Sequence, residues 1–143
     1  MNTTSGIYML MDNELLKNLN DSSKGLLYQT ELDYPFEIFI FNDTKRTSIN
    51  KANMLNLMKG SPEDYIEDFD FDFLFSTPTL DQDWHTDVDK KRVARFRNLV
   101  SVIKNSLTEI RVFRKGKIYI DVYITGRAPS GNITVISTKQ MQT

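Results

Sequence analysis

The chain has 143 residues, no cysteine, a single histidine and a formal net charge of −1. That length suggests roughly one domain, able to bury about two-thirds of the surface its unfolded chain would expose. The missing cysteines exclude disulfides, thiolate metal sites and a Cys nucleophile, the near-zero charge argues against a dedicated nucleic-acid binder, and no apolar run approaches the roughly 20 residues of a membrane helix.

Cysteine absence fits a cytoplasmic location. No basic residue precedes the short apolar run Ile7-Tyr8-Met9-Leu10-Met11, unlike a signal peptide. Residues 1–12 read as an N-terminal arm and 13–143 as a single domain. Asp12 is a candidate cap for a helix over about Asn13–Lys24, with Leu15, Leu16 and Leu19 as its buried stripe. Gly25 suits the left-handed position that stops such a helix. Pro35 holds Tyr34 extended. Residues 36–42, Phe-Glu-Ile-Phe-Ile-Phe-Asn, then read as a strand, and apolar residues at both parities imply a central strand covered on both sides. Ser48 is a candidate cap for a helix over about Ile49–Lys59, closed by Gly60, and Ser61-Pro62 starts a short helical turn.

From Tyr65 to Phe75 the chain alternates: Phe69, Phe71, Phe73 and Phe75 share one parity, and Asp68, Asp70 and Asp72 the other. A half-buried strand explains this, although Asp72 is also placed to cap a short helix through Phe75. The loop glycine and closing glutamate of an EF-hand are missing, so the aspartates read as core patterning rather than calcium ligands. Residues 76–87 form a polar loop holding Trp84 and His85. Thr86 or Asp87 caps a long helix to about Leu107, whose apolar face carries Val93, Phe96, Leu99, Val100, Ile103 and Leu107. Strands over 109–114 and 117–125 flank a Lys115-Gly116 hairpin connection. A last strand covers 132–138, and the polar tail 139–143 is read as free to reach outward. Helices at the front and middle with an antiparallel run at the back give an α+β domain. The preferred form is an α/β/α sandwich with helices on both faces of a largely antiparallel sheet.

Charge is unevenly distributed. Residues 61–89 contain ten acidic residues and no Lys or Arg, whereas 90–117 contain ten basic residues and one acid, Glu109. Such a block either attracts a cationic partner or is neutralised by the basic block after folding, which is the commoner outcome. Catalytic motifs are sparse. Gly126-Arg-Ala-Pro-Ser-Gly131 lacks the Lys-Ser/Thr ending of a phosphate loop. His85 between Asp83 and Asp87 has the composition of a general base, but catalysis also needs a paired nucleophile and an oxyanion site. A surface histidine is the simpler reading. Trp84 is either a core residue or an exposed binding anchor.

Several of these segments together resemble the nuclease A inhibitor-like (NuiA-like) proteins. They are Gly25-Leu26-Leu27-Tyr28, Thr30-Glu31, Tyr34-Pro35-Phe36-Glu37, Asp83-Trp84 after a Thr-Pro loop, Val93-Ala94-Arg95-Phe96, Val102-Ile103-Lys104, Asp121-Val122-Tyr123-Ile124, Gly131-Asn132, Ile136-Ser137-Thr138-Lys139 and the terminal Thr143. The resemblance runs over about residues 13–143, with a variable middle at 43–66. It implies a PR-1-like α/β/α sandwich. It also implies a non-enzymatic function, one-to-one inhibition of a sugar-non-specific, Mg-dependent DNA/RNA endonuclease. The implied contacts are Glu31 to an arginine of the nuclease, Asp83 and Trp84 at the mouth of its active site, and the Thr143 carboxylate to its metal. On that reading the free protein is a monomer with no cofactor or metal of its own, and it binds neither nucleic acid nor membrane. The alternative is an acidic-face module for another basic protein.

Overall fold

The computed structural model describes residues 3–30 and 32–142, with side chains from residue 11 onward. Two of the four candidate contact residues, Glu31 and Thr143, lie outside the described residues.

Helix α1 spans Thr3–Ser23 and therefore begins well before the expected Asn13. Asp12 is consequently inside the helix and caps nothing. Its carboxylate instead accepts from the Ser130 hydroxyl at 2.5 Å and from Asn132 Nδ2 at 2.7 Å, pinning a loop more than a hundred residues away. Leu15, Leu19 and Leu26 are buried as the helical spacing requires. Gly25 ends the turn at φ +77°, where a Cβ would be strained. The chain then forms a small hairpin of β1 (Leu27–Gln29) and β2 (Asp33–Pro35), with Leu27 opposite Pro35 and Gln29 opposite Asp33.

The main sheet has five antiparallel strands in the order β3-β7-β6-β5-β4. Strand β3 is Glu37–Phe41, β4 Ile66–Phe69, β5 Thr108–Lys115, β6 Tyr119–Arg127 and β7 Ile133–Met141. Strand β3 is thus an edge strand, not the central one its apolar run suggested. Its two faces are still covered, since Ile38 and Ile40 pack on one apolar cluster and Phe41 on the other. Phe39 stays 39% exposed. Apolar content reports burial of faces; it does not report whether a neighbour strand lies on each side.

Helix α2 is Lys51–Leu57 and is capped by Asn50, whose side chain accepts from the Asn53 amide at 2.9 Å, rather than by Ser48. It closes through Lys59 at φ +58°, one residue before the expected Gly60. Residues 61–64 make a hydrogen-bonded turn, not a helix. The Phe/Asp alternation continues as a strand only to Phe69. Asp70, not Asp72, then caps the short helix α3 (Phe71–Leu74) by accepting from the Phe73 amide at 2.8 Å. The long helix α4 is Asp87–Ser106, capped by Thr86.

Alternation along β6 places Ile120, Val122 and Ile124 with α1 and α4 on one face. Tyr123 lies on the other face, packed with Ile49, Met54 and Phe113 beneath α2. The tail is not free. Lys139, Gln140 and Met141 continue β7 opposite Asp121, Ile120 and Tyr119, and the Gln142 amide donates to the Ile118 carbonyl at 2.8 Å. Ladder bonds available to the tail outweigh the preference of its polar side chains for water. No described helix is long and apolar enough to cross a membrane.

Candidate functional site

Folding largely consumes the acidic block. Glu67 pairs with Arg114 at 2.6 Å, Asp68 with Arg111 at 2.6 Å, Asp72 with Lys104 at 2.8 Å and Asp81 with Arg97 at 3.2 Å. Asp89 pairs with Arg92 at 2.7 Å and Asp64 with Lys115 at 3.9 Å. The basic partners come from the cationic block, so neutralisation describes most of the pattern. Among the described residues, Glu63, Asp70, Asp83 and Asp87 are the acids of this block without an ion pair. Glu63 is engaged by the Ser61 hydroxyl and Asp70 caps α3. Asp83 and Asp87 are left, and they bracket Trp84.

The geometry around Trp84 explains its exposure. Residues 82–85 form a turn in which the His85 amide donates to the Gln82 carbonyl at 3.0 Å. The Gln82 amide in turn donates to His85 Nδ1 at 3.1 Å. Asp83 and Trp84 are the two central residues of this doubly tied turn and project from it. Trp84 is 72% exposed, with the His85 ring edge-on at 4.4 Å. Of the two readings of this residue, the core one is thereby excluded. The turn is clamped from both sides. Arg97 Nε donates to the Thr79 carbonyl at 2.8 Å. Thr86, directly after the turn, makes a reciprocal capping box with Asp89: the Thr86 amide donates to Asp89 Oδ2 at 2.9 Å and the Asp89 amide donates back to Thr86 Oγ1 at 3.3 Å. These bonds and the Arg92 guanidinium hold the Asp89 carboxyl down at about 2. One further exposed apolar residue, Val88, lies in the first turn of α4 beside this tip.

The β1–β2 hairpin reverses between Gln29 and Asp33, and the described residues around the reversal are firmly placed. Tyr28 OH donates to the Leu74 carbonyl at 2.8 Å, and its ring meets Phe36 and Phe75 edge-on. Thr30 Oγ1 donates to the Leu32 carbonyl at 2.8 Å and accepts from the Leu32 amide at 3.1 Å. It also accepts from the Met141 amide at 3.1 Å. Thr30 and Met141 are therefore neighbours, 111 positions apart in the chain. Tyr119 and Ile118, opposite Met141 and bonded to Gln142, are 71% and 56% exposed.

Helix α4 runs directly into β5 at Thr108, and Phe96 on its buried face meets Phe36, just before β3, edge-on. The hairpin at Thr30 and the end of β7 at Met141 lie together. No hydrogen bond or ion pair links the 82–85 turn to the hairpin among the described residues. A groove of about 990 Å³ between Asp12, the β3 edge and Arg46 contains none of the candidate residues. Among the described residues no group of three or more His, Cys, Asp or Glu is assembled to hold a metal.

Sequence reasoning missed Thr30, Gln82, His85 and Arg97 as the framework of these segments. Only Thr30 carried a local signal, since a threonine hydroxyl commonly bonds backbone two residues on. The others act through contacts that pattern and composition do not encode. A family model described as nuclease A inhibitor-like protein matches residues 13–143. No curated protein matches the chain.

Proposed function

The chain belongs to the nuclease A inhibitor-like family, and on that premise we propose that it inhibits a sugar-non-specific, Mg-dependent DNA/RNA endonuclease by one-to-one occlusion of the active site. The observation that carries this reading is the pairing pattern. Folding pairs six of the ten acids of the block with cations and engages Glu63 and Asp70 by hydrogen bonds, leaving Asp83 and Asp87 unpaired around a projecting Trp84 among the described residues. A nuclease site is built for phosphates and is cationic, so unpaired carboxylates on a rigid turn complement it. Rigid presentation reduces the ordering cost of association, and an exposed tryptophan excludes water around the polar contacts.

In this reading Glu31 forms the ion pair with a nuclease arginine, Asp83 and Trp84 meet the rim of the cleft, and the C-terminal carboxylate of Thr143 offers a hard oxygen ligand to the nuclease's Mg²⁺. The protein acts on the enzyme and not on the nucleic acid, and it performs no chemistry itself. A PR-1-like sandwich is the architecture that goes with this family reading.

The test is plasmid cleavage by the cognate non-specific nuclease at rising inhibitor ratios. Inhibition that saturates at one-to-one is expected, and Glu31→Ala should weaken it by about 2–5 kcal/mol if that ion pair is desolvated. Full nuclease activity at stoichiometric inhibitor, with some other basic protein captured instead, would replace this reading with the acidic-face module.

A further inference from the structure

We infer that Thr30 is a positioning residue that joins two parts of the nuclease-binding end into one unit. The inference rests on the function proposed above. Strand β3 begins at Glu37, opposite Ser137, so β7 runs on to Met141 without a partner on that edge. The β1–β2 hairpin fills the gap. The Thr138 hydroxyl donates to the Tyr34 carbonyl at 3.3 Å, and the Met141 amide donates to Thr30 Oγ1 at 3.1 Å. On the other edge the next amide, Gln142, donates to the Ile118 carbonyl at 2.8 Å. Successive amides of a strand point to opposite sides, so this pair of bonds holds the chain from both edges at Met141 and Gln142.

The Thr30 hydroxyl is fully used. It has one proton and two acceptor lone pairs. It donates to the Leu32 carbonyl and accepts from the Leu32 and Met141 amides. The same oxygen therefore sets the hairpin reversal and fixes the end of β7. Valine in its place keeps the β-branched shape but leaves both amides without that acceptor. Serine keeps the hydroxyl.

Two measurements on the full-length protein test this. In the free protein, Thr30→Val should speed amide hydrogen exchange at Met141 by tenfold or more, while Thr30→Ser stays near wild type. Against the cognate nuclease, Thr30→Val should weaken inhibition about tenfold, Thr30→Ser should restore it, and Thr30→Val combined with Glu31→Ala should lose less than the two single losses multiplied. Equal inhibition by wild type and Thr30→Val overturns the role of Thr30 and leaves the proposed function standing. Fully multiplicative losses in the double variant, or unchanged exchange at Met141, overturn the coupling. Failure of the wild-type protein to inhibit the nuclease is a separate result that removes the proposed function and this role together.

Discussion

Trp84 shows how a single side chain is committed to a surface role. Burying a tryptophan within the domain would remove a large apolar area from water, yet the ring stands 72% exposed because the 82–85 turn ties both of its ends to itself. On the proposed function, a partner that covers the ring recovers the cost of that exposure. Trp84→Ala should therefore weaken nuclease inhibition by about 2 kcal/mol while leaving the melting temperature close to wild type. Titration of nuclease activity alongside thermal denaturation of the same samples checks both halves. His85 has a different standing from the one its neighbours suggested. Its Nδ1 is the acceptor for the Gln82 amide, so the ring is a fastener of the turn that presents Asp83 and Trp84. A threonine–aspartate box, an arginine clamp and this histidine together occupy the polar side chains nearest to Trp84, and Asp83 and Asp87 remain unpaired.

Two elements deliver the site, and each carries a prediction. Helix α4 is held by Val93, Phe96, Leu99 and Ile103 on its buried face and started by the Thr86–Asp89 box. Thr86→Ala removes one half of that box and should destabilise the protein by about 1 kcal/mol. The Thr86 amide is the main cause of the lowered Asp89 carboxyl, followed by the Thr86 hydroxyl and Arg92, which bring it to about 2. A carboxyl lowered on folding contributes stability that is complete above its ordinary value of 3.8 and is lost as the pH falls through about 2. Thr86→Ala should accordingly move the Asp89 titration upward by NMR and narrow the difference in stability between neutral and acid pH. Strand β7 carries the second prediction. Because Met141 and Gln142 are fixed in the sheet, extending the chain past Thr143 displaces the terminal carboxylate without unfolding anything. An inhibitor with a C-terminal extension should lose at least tenfold in affinity, whereas an N-terminal extension of the same length should not.

At the scale of the whole molecule, the end of the sheet where β6 finishes and β7 begins is locked by Arg127. This buried guanidinium donates to Asp43 at 2.9 Å, Glu109 at 2.6 Å, the Gly131 carbonyl at 3.0 Å and the Thr47 carbonyl. It joins β6 to the loop after β3, to the start of β5 and to the loop before β7. Its first effect is to hold the Asp43 carboxyl below the ordinary carboxylate value. Arg127→Met leaves Asp43 buried without its counter-charge and should cost about 3–5 kcal/mol, read as a shift in the denaturation midpoint. The wild-type pair contributes above pH 3.8 and weakens as the pH falls through the lowered Asp43 value, so the deficit of the variant should shrink in acid. Since none of the partners of Arg127 belongs to the 82–85 turn, inhibition by the folded fraction of Arg127→Met should remain at one-to-one.

Much of this architecture is written locally. The apolar spacing of Val93, Phe96, Leu99 and Ile103, the cap at Thr86, the stop at Gly25 and the two-faced alternation of β6 each depend on residues within a turn or a strand of one another, and they are legible in the sequence. The ordered family segments over residues 13–143 are legible in the same way. What only the tertiary structure decided depends on contacts between distant segments. The ion pairs Glu67–Arg114 and Asp68–Arg111 bridge more than forty positions, and contacts of this kind decide which carboxylates are neutralised within the chain. The edge position of β3, the zipped end of β7 and the Thr30–Met141 bond follow from strand order, which apolar periodicity does not contain. Asp12 is the plainest case: its composition suits a cap, but the sheet brings Ser130 and Asn132 to its carboxylate and the helix runs on through it.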